Sequence, residues 1–302
     1  MENAITTHQL TKSFGRNFAV KDLDLNVPQG SIFAFLGPNG AGKTTTIKTV
    51  MNIMMPTQGT ATVLGVDSKR LSPTEFTQIG YVSENQDLPL WMTVKQFLNY
   101  CKSMYPNWDD GFCQNLLAQF DLPLNQKLRD LSRGMKMKAA LVSSLAYRPK
   151  LLVFDEPFSG LDPLVREEFI NGVLEITETE NWTIFISSHD IDEVERLADW
   201  VAMVDKGELM INENTENLQR RFRQVELILS EPLSSQLSFP EEWLLPEQKG
   251  RAIRFIETQY QEGISEQRIR SLLPQCTDIT VKGMSLREIF LVLAKKFKIP
   301  KL

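Results

Sequence analysis

The opening of the chain alternates short apolar runs with polar turns, a pattern typical of β structure. Residues 20–27 alternate apolar and polar side chains, which predicts a half-buried strand. A turn at residues 28–30 leads into an apolar run at 31–36, which predicts a buried strand, and residues 45–52 have the character of a helix. The pattern therefore predicts an antiparallel β region followed by a strand–loop–helix unit.

Residues 87–146 change to helical spacing and predict a helical insertion. Thr93 and Gln96 have the spacing of a capping box, and the apolar residues that follow them share one helical face. Pro106 ends this helix, and apolar spacing within residues 112–120 predicts a second one. The insertion is rich in aromatic residues, namely Trp91, Phe97, Tyr100, Tyr105, Trp108, Phe112 and Phe120. We expect most of them to form its core, and an exposed remainder such as Trp91 or Tyr105 to mark a docking surface.

An α/β pattern resumes after the insertion. Residues 151–154 are wholly apolar, as expected for a strand covered on both faces, and a helix at 163–178 and a strand at 183–186 follow. Strands that alternate with helices predict a mostly parallel sheet with right-handed crossovers. We therefore expect residues 1–215 to form one α/β domain that contains the helical insertion.

Residues 216–302 predict a small C-terminal α+β accessory domain. Strands are expected at 225–229, 251–258 and 279–281, with helices at 265–273 and from Ser285 onward. A loop that contains Pro232, Pro240 and Pro246 is expected between the first two strands.

Composition narrows the function classes. The length of 302 residues allows about two domains, and the net charge of −5 disfavours nucleic acid as a partner. Three cysteines without a Cys-x-x-Cys pair indicate a reducing compartment, and two histidines leave little room for a histidine-based metal site. No stretch approaches about 18 apolar residues and the N-terminus lacks a signal peptide, so we expect a soluble chain in the cytoplasm.

The strand–loop–helix unit carries the pattern Gly, four residues, Gly-Lys-Thr. Its residues are Gly37, Pro38, Asn39, Gly40, Ala41, Gly42, Lys43 and Thr44, with Thr45 next in the helix. Glycines that open a helix aim backbone N–H groups and the positive end of the helix dipole at one point, and no Cβ keeps an anion away. Lys43 is expected to reach the β- and γ-phosphates, and Thr44 to offer its hydroxyl to Mg²⁺. The unit therefore predicts nucleotide binding.

Two further motifs follow predicted parallel strands, where open α/β sheets place their ligands. Asp155 and Glu156 come directly after the apolar run 151–154. Asp155 suits the residue that holds Mg²⁺, and Glu156 a carboxylate that orients and deprotonates an attacking water. His189 follows the next strand, so its ring is expected to reach the γ-phosphate and the same water. These residues predict hydrolysis of a nucleoside triphosphate.

A second anion site is predicted at residues 131–135, which begin another helix. Ser132 and Gly134 provide a hydroxyl and an unobstructed backbone at the helix N-terminus. One nucleotide rarely needs two such sites in the same chain. The second site is therefore expected to face the phosphate loop of another copy.

With these motifs in this order, residues 1–215 resemble the ATP-binding subunit of an ABC transporter. The resemblance rests on the phosphate loop, the Leu-Ser-x-Gly run at 131–134, the Asp-Glu pair, the Ser-Gly-Leu-Asp run at 159–162 and the histidine. It implies a P-loop ATPase fold, ATP and Mg²⁺ as ligands, and a head-to-tail dimer that encloses two ATP molecules. It also implies that Phe14 stacks on adenine, that Ser132 and Gly134 meet the opposing γ-phosphate, and that Asp162 communicates across the dimer.

The chain departs from the family pattern at two places. Arg133 and Met135 stand in a motif that is usually Leu-Ser-Gly-Gly-Gln, and Arg133 is expected either to contact phosphate or to face solvent. The family's metal-contacting glutamine falls on Glu84 when counted from residues 79–81, with Gln86 as the alternative if the loop is longer. We expect Glu84 to take this position.

The C-terminal domain resembles those of exporter-type, ABC-2-like subunits, through the run Ser-Leu-Arg-Glu-Ile-Phe-Leu at 285–291. The resemblance implies a multi-pass membrane permease as partner, a second ATPase subunit, and a place on the inner face of the cell membrane. A soluble ABC ATPase and a regulatory module that senses ATP are the alternatives. A GTPase is disfavoured because no Asn-Lys-x-Asp motif is present. The resemblance also implies that the membrane partner selects the transported substrate.

Overall fold

The computed structural model describes residues 2–84, 86–179, 182–232 and 239–297. The chain folds into two compact units, Met1–Asn212 and Glu213–Leu302. The first unit contains strands β1 (Asn3–Phe14), β2 (Asn17–Pro28), β3 (Ile32–Leu36), β4 (Gln58–Val63), β5 (Val66–Asp67), β6 (Ile79–Ser83), β7 (Leu151–Asp155), β8 (Thr183–Ser188), β9 (Trp200–Asp205) and β10 (Glu208–Asn214, the last two residues of which belong to the second unit). Its helices are α1 (Lys43–Val50), α2 (Pro73–Phe76), α3 (Val94–Lys102), α4 (Asp110–Gln119), α5 (Arg133–Leu145) and α6 (Pro163–Thr179).

The first unit contains two sheets. A four-stranded sheet has the order β2-β1-β4-β5, and each neighbouring pair in it is antiparallel. A six-stranded sheet has the order β10-β9-β3-β8-β7-β6, and β3, β6, β7, β8 and β9 pair in parallel. The expected α/β fold with an antiparallel N-terminal part and a mostly parallel sheet is confirmed.

The central strands β3 and β7 of the parallel sheet are buried on both faces, and all their side chains are apolar except Asp155 at the site. Each residue of β3 and of β7 is buried. Phe33 and Phe35 of β3 contact Phe185 of β8, with ring centroids 5.7 and 5.4 Å apart. Burial of each such ring stabilises the fold by about 1.5–3 kcal/mol. This core holds the carboxyl ends of the strands in a rigid array.

The helical insertion begins with the expected capping box. Gln96 N–H donates to Thr93 Oγ1 at 3.2 Å, and Thr93 N–H donates to Gln96 Oε1 at 2.9 Å. The predicted aromatic core is present in Phe97 and Phe120, which are buried. Trp91 is 69% exposed, whereas Tyr105 stacks on Tyr147 with ring centroids 3.8 Å apart. Of the two expected surface aromatics, Trp91 is therefore the one that is mostly exposed to solvent.

The second unit contains α7 (Thr215–Arg221), β11 (Arg223–Leu229), β12 (Trp243–Lys249), β13 (Ala252–Glu257), α8 (Ile264–Leu272), β14 (Cys276–Gly283) and α9 (Leu286–Phe297). Its antiparallel sheet has the order β12-β13-β11-β14. The ring of Trp243 stacks on Phe255 with centroids 4.0 Å apart in the core of this unit. Helix α9 starts with a capping box, in which Ser285 N–H donates to Glu288 Oε2 at 2.8 Å.

One sequence expectation for the second unit was wrong. The proline-containing loop was expected to extend through Pro246, but Trp243–Lys249 forms strand β12. Residues 233–238 of that loop lie outside the described residues. Proline is tolerated here because β12 is an edge strand, and its pairing with β13 is interrupted between Leu244 and Glu247. A bulged edge position needs no N–H from Pro246.

Candidate functional site

The site lies at the carboxyl edge of the parallel sheet. The register pairs Leu36 of β3 with Ser188 of β8, and Asp155 of β7 with Ser187 of β8. The chain segments that leave these strands therefore start side by side. Gly37 N–H donates to the carbonyl of Ser188 at 3.3 Å, which ties the phosphate loop to the segment that carries His189.

The phosphate loop requires glycine at two positions for steric reasons. Gly42 has φ +103°, and a Cβ there would lie 2.1 Å from the carbonyl oxygen of Ala19. A Cβ at Gly37 would lie 2.3 Å from the carbonyl oxygen of Val204. Strands β2 and β9 therefore press against the loop and hold its backbone. The N-cap of α1 is Gly42, which offers no side chain, so the N–H groups of the first turn remain available to an anion.

Other loop residues support this conformation. Pro38 accepts from Ala41 N–H at 3.1 Å, and the carbonyl of Ala41 accepts from Gly207 N–H at 2.9 Å. Asn39 and Gly40 are exposed at the tip, and Thr45 is half-buried in α1. The loop is thus anchored at its ends and open at its tip.

Lys43 connects the loop to the acidic motif. Its side chain is only 4% exposed, and Nζ donates to the carbonyl of Gly37 at 2.6 Å. The same Nζ lies 3.0 Å from Oε1 of Glu156. The buried ammonium group is compensated by these partners, as a charge in this setting must be. It is placed between the loop carbonyls and the Glu156 carboxylate.

Thr44 and Asp155 bring two oxygen ligands together. Thr44 Oγ1 donates to Asp155 Oδ1 at 3.0 Å, and Ser187 Oγ donates to the same oxygen at 2.9 Å. Burial raises the pKa of Asp155, and the hydrogen bonds from Ser187 and Thr44 act in the opposite direction. Hydroxyl and carboxylate oxygens are donors that Mg²⁺ accepts, and this cation is commonly held by one or two carboxylates together with substrate phosphates.

Glu156, the second residue of the acidic motif, contacts His189. His189 Nδ1 and Glu156 Oε2 are 2.7 Å apart. Glu156 has φ +53°, a left-handed conformation that a residue with a Cβ rarely adopts and that strained functional sites often contain. Its N–H donates to Ser187 Oγ at 3.0 Å, which helps to hold this backbone. The carboxylate is thereby placed between Lys43 and His189.

Sequence reasoning missed Ser187. Its hydroxyl is fully buried and contacts both members of the Asp-Glu pair. The hydroxyl of the neighbouring Ser188 donates to Glu193 Oε2 at 2.5 Å. Oε1 of Glu193 in turn lies 3.3 Å from Nη2 of Arg166. The signal available in the sequence was a pair of hydroxyl residues at the end of a strand that should otherwise be apolar.

Ser132, Gly134 and Asp162 are not linked to this network by any hydrogen bond or ion pair found among the described residues. Ser132 is exposed and caps α5 by accepting from Met135 N–H at 3.2 Å. Asp162 is exposed and accepts from Val165 N–H at 3.0 Å near the start of α6. A Cβ on Gly134 would lie 2.7 Å from Val165 Cγ1, so packing within the chain already requires this glycine.

Phe14 lies at the end of the β1–β2 hairpin and is 52% exposed. Lys12 Nζ lies 5.2 Å from the centroid of its ring. The hairpin also exposes Phe18, which pairs with Ser13 in the strand register and which sequence reasoning did not select. Ala19, which follows Phe18 in β2, lies against the phosphate loop at Gly42. The hairpin aromatics are therefore close in the chain to the segment that contacts the loop.

Glu84 and Gln86 follow β6 and differ in their partners. Glu84 N–H donates to the carbonyl of Asp155 at 3.0 Å, while its carboxylate pairs with Arg133 at 2.5 Å. Oε1 of Gln86 is buried and has no hydrogen-bond partner in the part of the chain that the structure describes. Both residues line a cleft of about 230 Å³ together with Thr44, Lys48, Ile53, Tyr81, Ser83, Asp155 and Glu156.

A larger cavity of about 730 Å³ lies in the second unit, beside Trp243, Arg268 and Leu272. Its lining contains none of the phosphate-loop or acidic-motif residues. The site is therefore assigned by its chemistry and not by cavity size. The contacts among Lys43, Thr44, Asp155 and Glu156 define a P-loop nucleoside triphosphatase.

Comparison with known proteins identifies the family. A family profile described as ABC transporter matches residues 20–159. The bacitracin transport ATP-binding protein BcrA of Enterococcus faecalis is 31% identical over 225 residues, which are 74% of this chain and 73% of that protein. The ABC transporter ATP-binding protein YtrB of Bacillus subtilis is 28% identical over 223 residues, 74% of this chain and 76% of that protein. A solved ATP binding subunit of an ABC transporter has a TM-score of 0.65 at 26% identity and covers 72% of this chain and 92% of that one.

This chain belongs to the ATP-binding subunits of ABC transporters, and its activity is ATP hydrolysis. The resemblance drawn from the motifs is confirmed. No helix within the described ranges is long and apolar enough to span a bilayer.

Proposed function

We propose that this chain binds and hydrolyses ATP to power a membrane transporter of the exporter type. Relatives whose names refer to bacitracin transport and to multidrug transport support the proposal. The second, YbhF of Escherichia coli, is a probable multidrug ABC transporter ATP-binding protein, 35% identical over 228 residues, which are 72% of this chain and 38% of that protein. The observation that carries the proposal is the contact network in which Lys43 and His189 both contact the carboxylate of Glu156.

The phosphate loop receives the nucleotide. Backbone N–H groups at the N-terminus of α1 point toward the β-phosphate, because Gly42 leaves them without a side-chain cap. Lys43 exchanges part of its contact with the Gly37 carbonyl for the β- and γ-phosphate oxygens. Phe14 stacks on the adenine ring.

Thr44 and Asp155 hold Mg²⁺, since their oxygens already lie 3.0 Å apart. Bound at that position, the cation supplies charge neutralisation for the phosphate oxygens. Gln86 is a better candidate than Glu84 for a further ligand of the metal. Its buried Oε1 lacks a hydrogen-bond partner among the described residues, whereas the Glu84 carboxylate pairs with Arg133. This reverses the preference for Glu84 that was based on counting residues.

Glu156 acts as the general base for the attacking water, and His189 orients it and the γ-phosphate. The contact of 2.7 Å between His189 Nδ1 and Glu156 Oε2 sets the direction of the carboxylate. The left-handed backbone at Glu156 keeps the side chain at the strand end, where the water is to be activated.

A second copy of an ATPase subunit completes each site. Ser132 and the backbone at Gly134 present a helix N-terminus whose serine is exposed, and Asp162 lies exposed near the N-terminus of α6. These groups meet the γ-phosphate bound to the partner. Trp91 and the surface of the helical insertion contact a multi-pass permease, which places the chain on the inner face of the cell membrane. No nucleic-acid partner is proposed, in keeping with the net charge of −5.

Replacement of Glu156 with Gln tests this function. The variant keeps the shape of the side chain and its contact to Lys43, so ATP binding is retained while turnover falls by about 10²–10⁴-fold. Size-exclusion chromatography with ATP should then show an ATP-dependent dimer of the variant, and phosphate release should show the lost turnover. Near-normal hydrolysis by the variant removes Glu156 from this role.

Purification with its membrane partner tests the coupling to transport. Recovery of a multi-pass membrane protein with the chain, and stimulation of phosphate release by that protein, are the expected results. Recovery with ribosomes or DNA instead indicates a soluble ABC ATPase, and ATP binding without phosphate release indicates a sensing module.

A further inference from the structure

Two residues at which the chain departs from its family pattern contact each other. Nη2 of Arg133 lies 2.5 Å from Oε1 of Glu84. Arg133 is the first residue of α5, directly after the capping Ser132, and Glu84 directly follows β6. We call this ion pair the 84–133 bridge.

The arginine of the 84–133 bridge also lies against a third segment. A Cβ built on Gly160 would lie 2.3 Å from Nη1 of Arg133 and 2.7 Å from its Cζ. The guanidinium group therefore rests directly on the backbone of Gly160, which has φ +66° and lies two residues before Asp162. A larger residue at position 160 would require the guanidinium group to move away from this backbone.

The 84–133 bridge is linked to the metal ligands through the backbone. Glu84 N–H donates to the carbonyl of Asp155 at 3.0 Å, and Asp155 Oδ1 accepts from Thr44. One arginine thus connects the Ser132–Gly134 helix tip, the strand end that carries Asp155, and the loop that leads to Asp162. The first and third of these face the partner subunit in the proposed dimer, and the second holds the metal.

Stability alone gives little reason for this arrangement. The side chains of Arg133 and Glu84 are 50% and 26% exposed, and an ion pair that is this accessible to water contributes little to stability. A cation in the first turn of α5 is also unfavourable to the helix dipole, and the negative charge of Glu84 offsets this effect. The planar guanidinium group is, however, suited to hold a carboxylate and lie against a backbone at the same time, which lysine cannot do.

We propose that Arg133 is a positioning residue. Through Glu84 it holds the Ser132–Gly134 helix tip in register with, that is, at a fixed position relative to, the metal ligand Asp155 of the same chain. The proposal rests on the function proposed above. ATP binding to one subunit does not need this register, because the phosphate loop lies on other elements. Closure on a partner does need it, because the helix tip of each subunit must meet the nucleotide of the other while its own metal site is in place.

Single and double substitutions test the 84–133 bridge in the full-length chain. We expect Arg133→Ala and Glu84→Ala each to lower kcat for ATP hydrolysis by about 10- to 100-fold, the range for misplacement of reacting groups, with KM for ATP little changed. The double variant should lose no more than either single variant, because both remove the same contact. Arg133→Lys should have a kcat between those of the unchanged chain and Arg133→Ala. Lysine keeps the positive charge but lacks the planar guanidinium group that lies against Gly160.

Matched controls separate this role from a structural one. Arg129→Ala removes an exposed arginine of the same insertion, whose Nε lies 3.5 Å from Asp130, and should leave kcat unchanged. The melting temperature of the 84–133 variants should fall by no more than about 4 °C, which corresponds to an exposed pair in a domain of this size. In the Glu156→Gln background, Arg133→Ala should weaken the ATP-dependent dimer while binding of a fluorescent ATP analogue to the monomer is unchanged.

Three results overturn the positioning role. Losses of kcat that multiply in the double variant show that the two residues act separately. A rise in KM at constant kcat after Arg133→Ala alone shows that Arg133 binds phosphate directly. Unchanged kcat in both single variants shows that the contact has no part in turnover. A wild-type chain that neither hydrolyses ATP nor dimerises in its presence refutes the proposed function itself, and the positioning role with it.

Discussion

Replacement of Ser187 with Ala is expected to damage both stability and metal binding. The hydroxyl is fully buried, donates to Asp155 Oδ1 at 2.9 Å and accepts from Glu156 N–H at 3.0 Å. A hydrogen bond to a charged group contributes about 1.5–3 kcal/mol, and a buried N–H left without a partner costs about 1–3 kcal/mol. Allowing for overlap of the two effects, we expect a loss of about 2–5 kcal/mol in the free energy of unfolding.

The same substitution acts on the pKa of Asp155. Burial raises this pKa, and the hydrogen bond from Ser187 lowers it, so removal of the bond raises it further. Mg²⁺ needs the ionised carboxylate and competes with the proton for it. The pH below which Mg²⁺ affinity falls should therefore move upward in the variant.

Thermal unfolding and Mg²⁺-dependent ATP binding across a pH series measure the two effects. A loss of 1 kcal/mol corresponds to about 2–4 °C in melting temperature for a domain of this size. Ser143→Ala is the matched control, because Ser143 is also buried and donates to the carbonyl of Ala140 at 2.8 Å within α5, without a hydrogen bond to either Asp155 or Glu156. Equal effects of the two substitutions, with an unchanged pH profile for Ser187→Ala, would refute the assigned contacts.

Two further predictions concern neighbouring positions. Asp155→Asn should raise the melting temperature of the nucleotide-free protein at neutral pH. Burial raises the pKa of Asp155, so between its unfolded and folded pKa values the folded state binds more protons than the unfolded state. The folded protein therefore loses stability as the pH rises through that window, and an uncharged Asn avoids the loss. The same variant should no longer gain stability from Mg²⁺ with ATP, and a lower melting temperature without nucleotide would contradict the burial argument. Gly42→Ala should abolish ATP binding measured by fluorescence titration, since its Cβ would lie 2.1 Å from the carbonyl oxygen of Ala19 at φ +103°; Gly40→Ala is the partner comparison, because its Cβ meets no atom within 4 Å although φ is +81°. Equal binding by the Gly42 and Gly40 variants would show that contact with β2 does not constrain the loop.

Local patterns predicted the elements well where one physical cause dominates. The capping boxes at Thr93 and Ser285 depend only on residues three apart, and both are present. Strand β7 follows from an apolar run that has no other explanation than burial on both faces. Strand β12 was missed because a proline in a central strand is excluded, and only the sheet order shows that this strand lies at an edge.

The candidate site was predictable in part for a related reason. The phosphate loop, Asp155, Glu156 and His189 each follow a strand, so the parallel sheet brings them to one edge. Ser187 was missed because its value depends on two hydrogen bonds to residues more than 30 positions away. Arg133 was left between phosphate and solvent, and its contact with Glu84 links residues 49 positions apart.

The sequence by itself determined the chemistry of this protein. The glycine spacing, the acidic pair and the histidine are features of the primary structure. The alternation of strands with helices then places each of them at a strand end. The tertiary structure decided the partners: Lys43 and His189 contact the Glu156 carboxylate, Ser187 contacts both members of the acidic pair, and Glu84 pairs with Arg133. These choices depend on distances between side chains brought together by packing, and no local pattern encodes them.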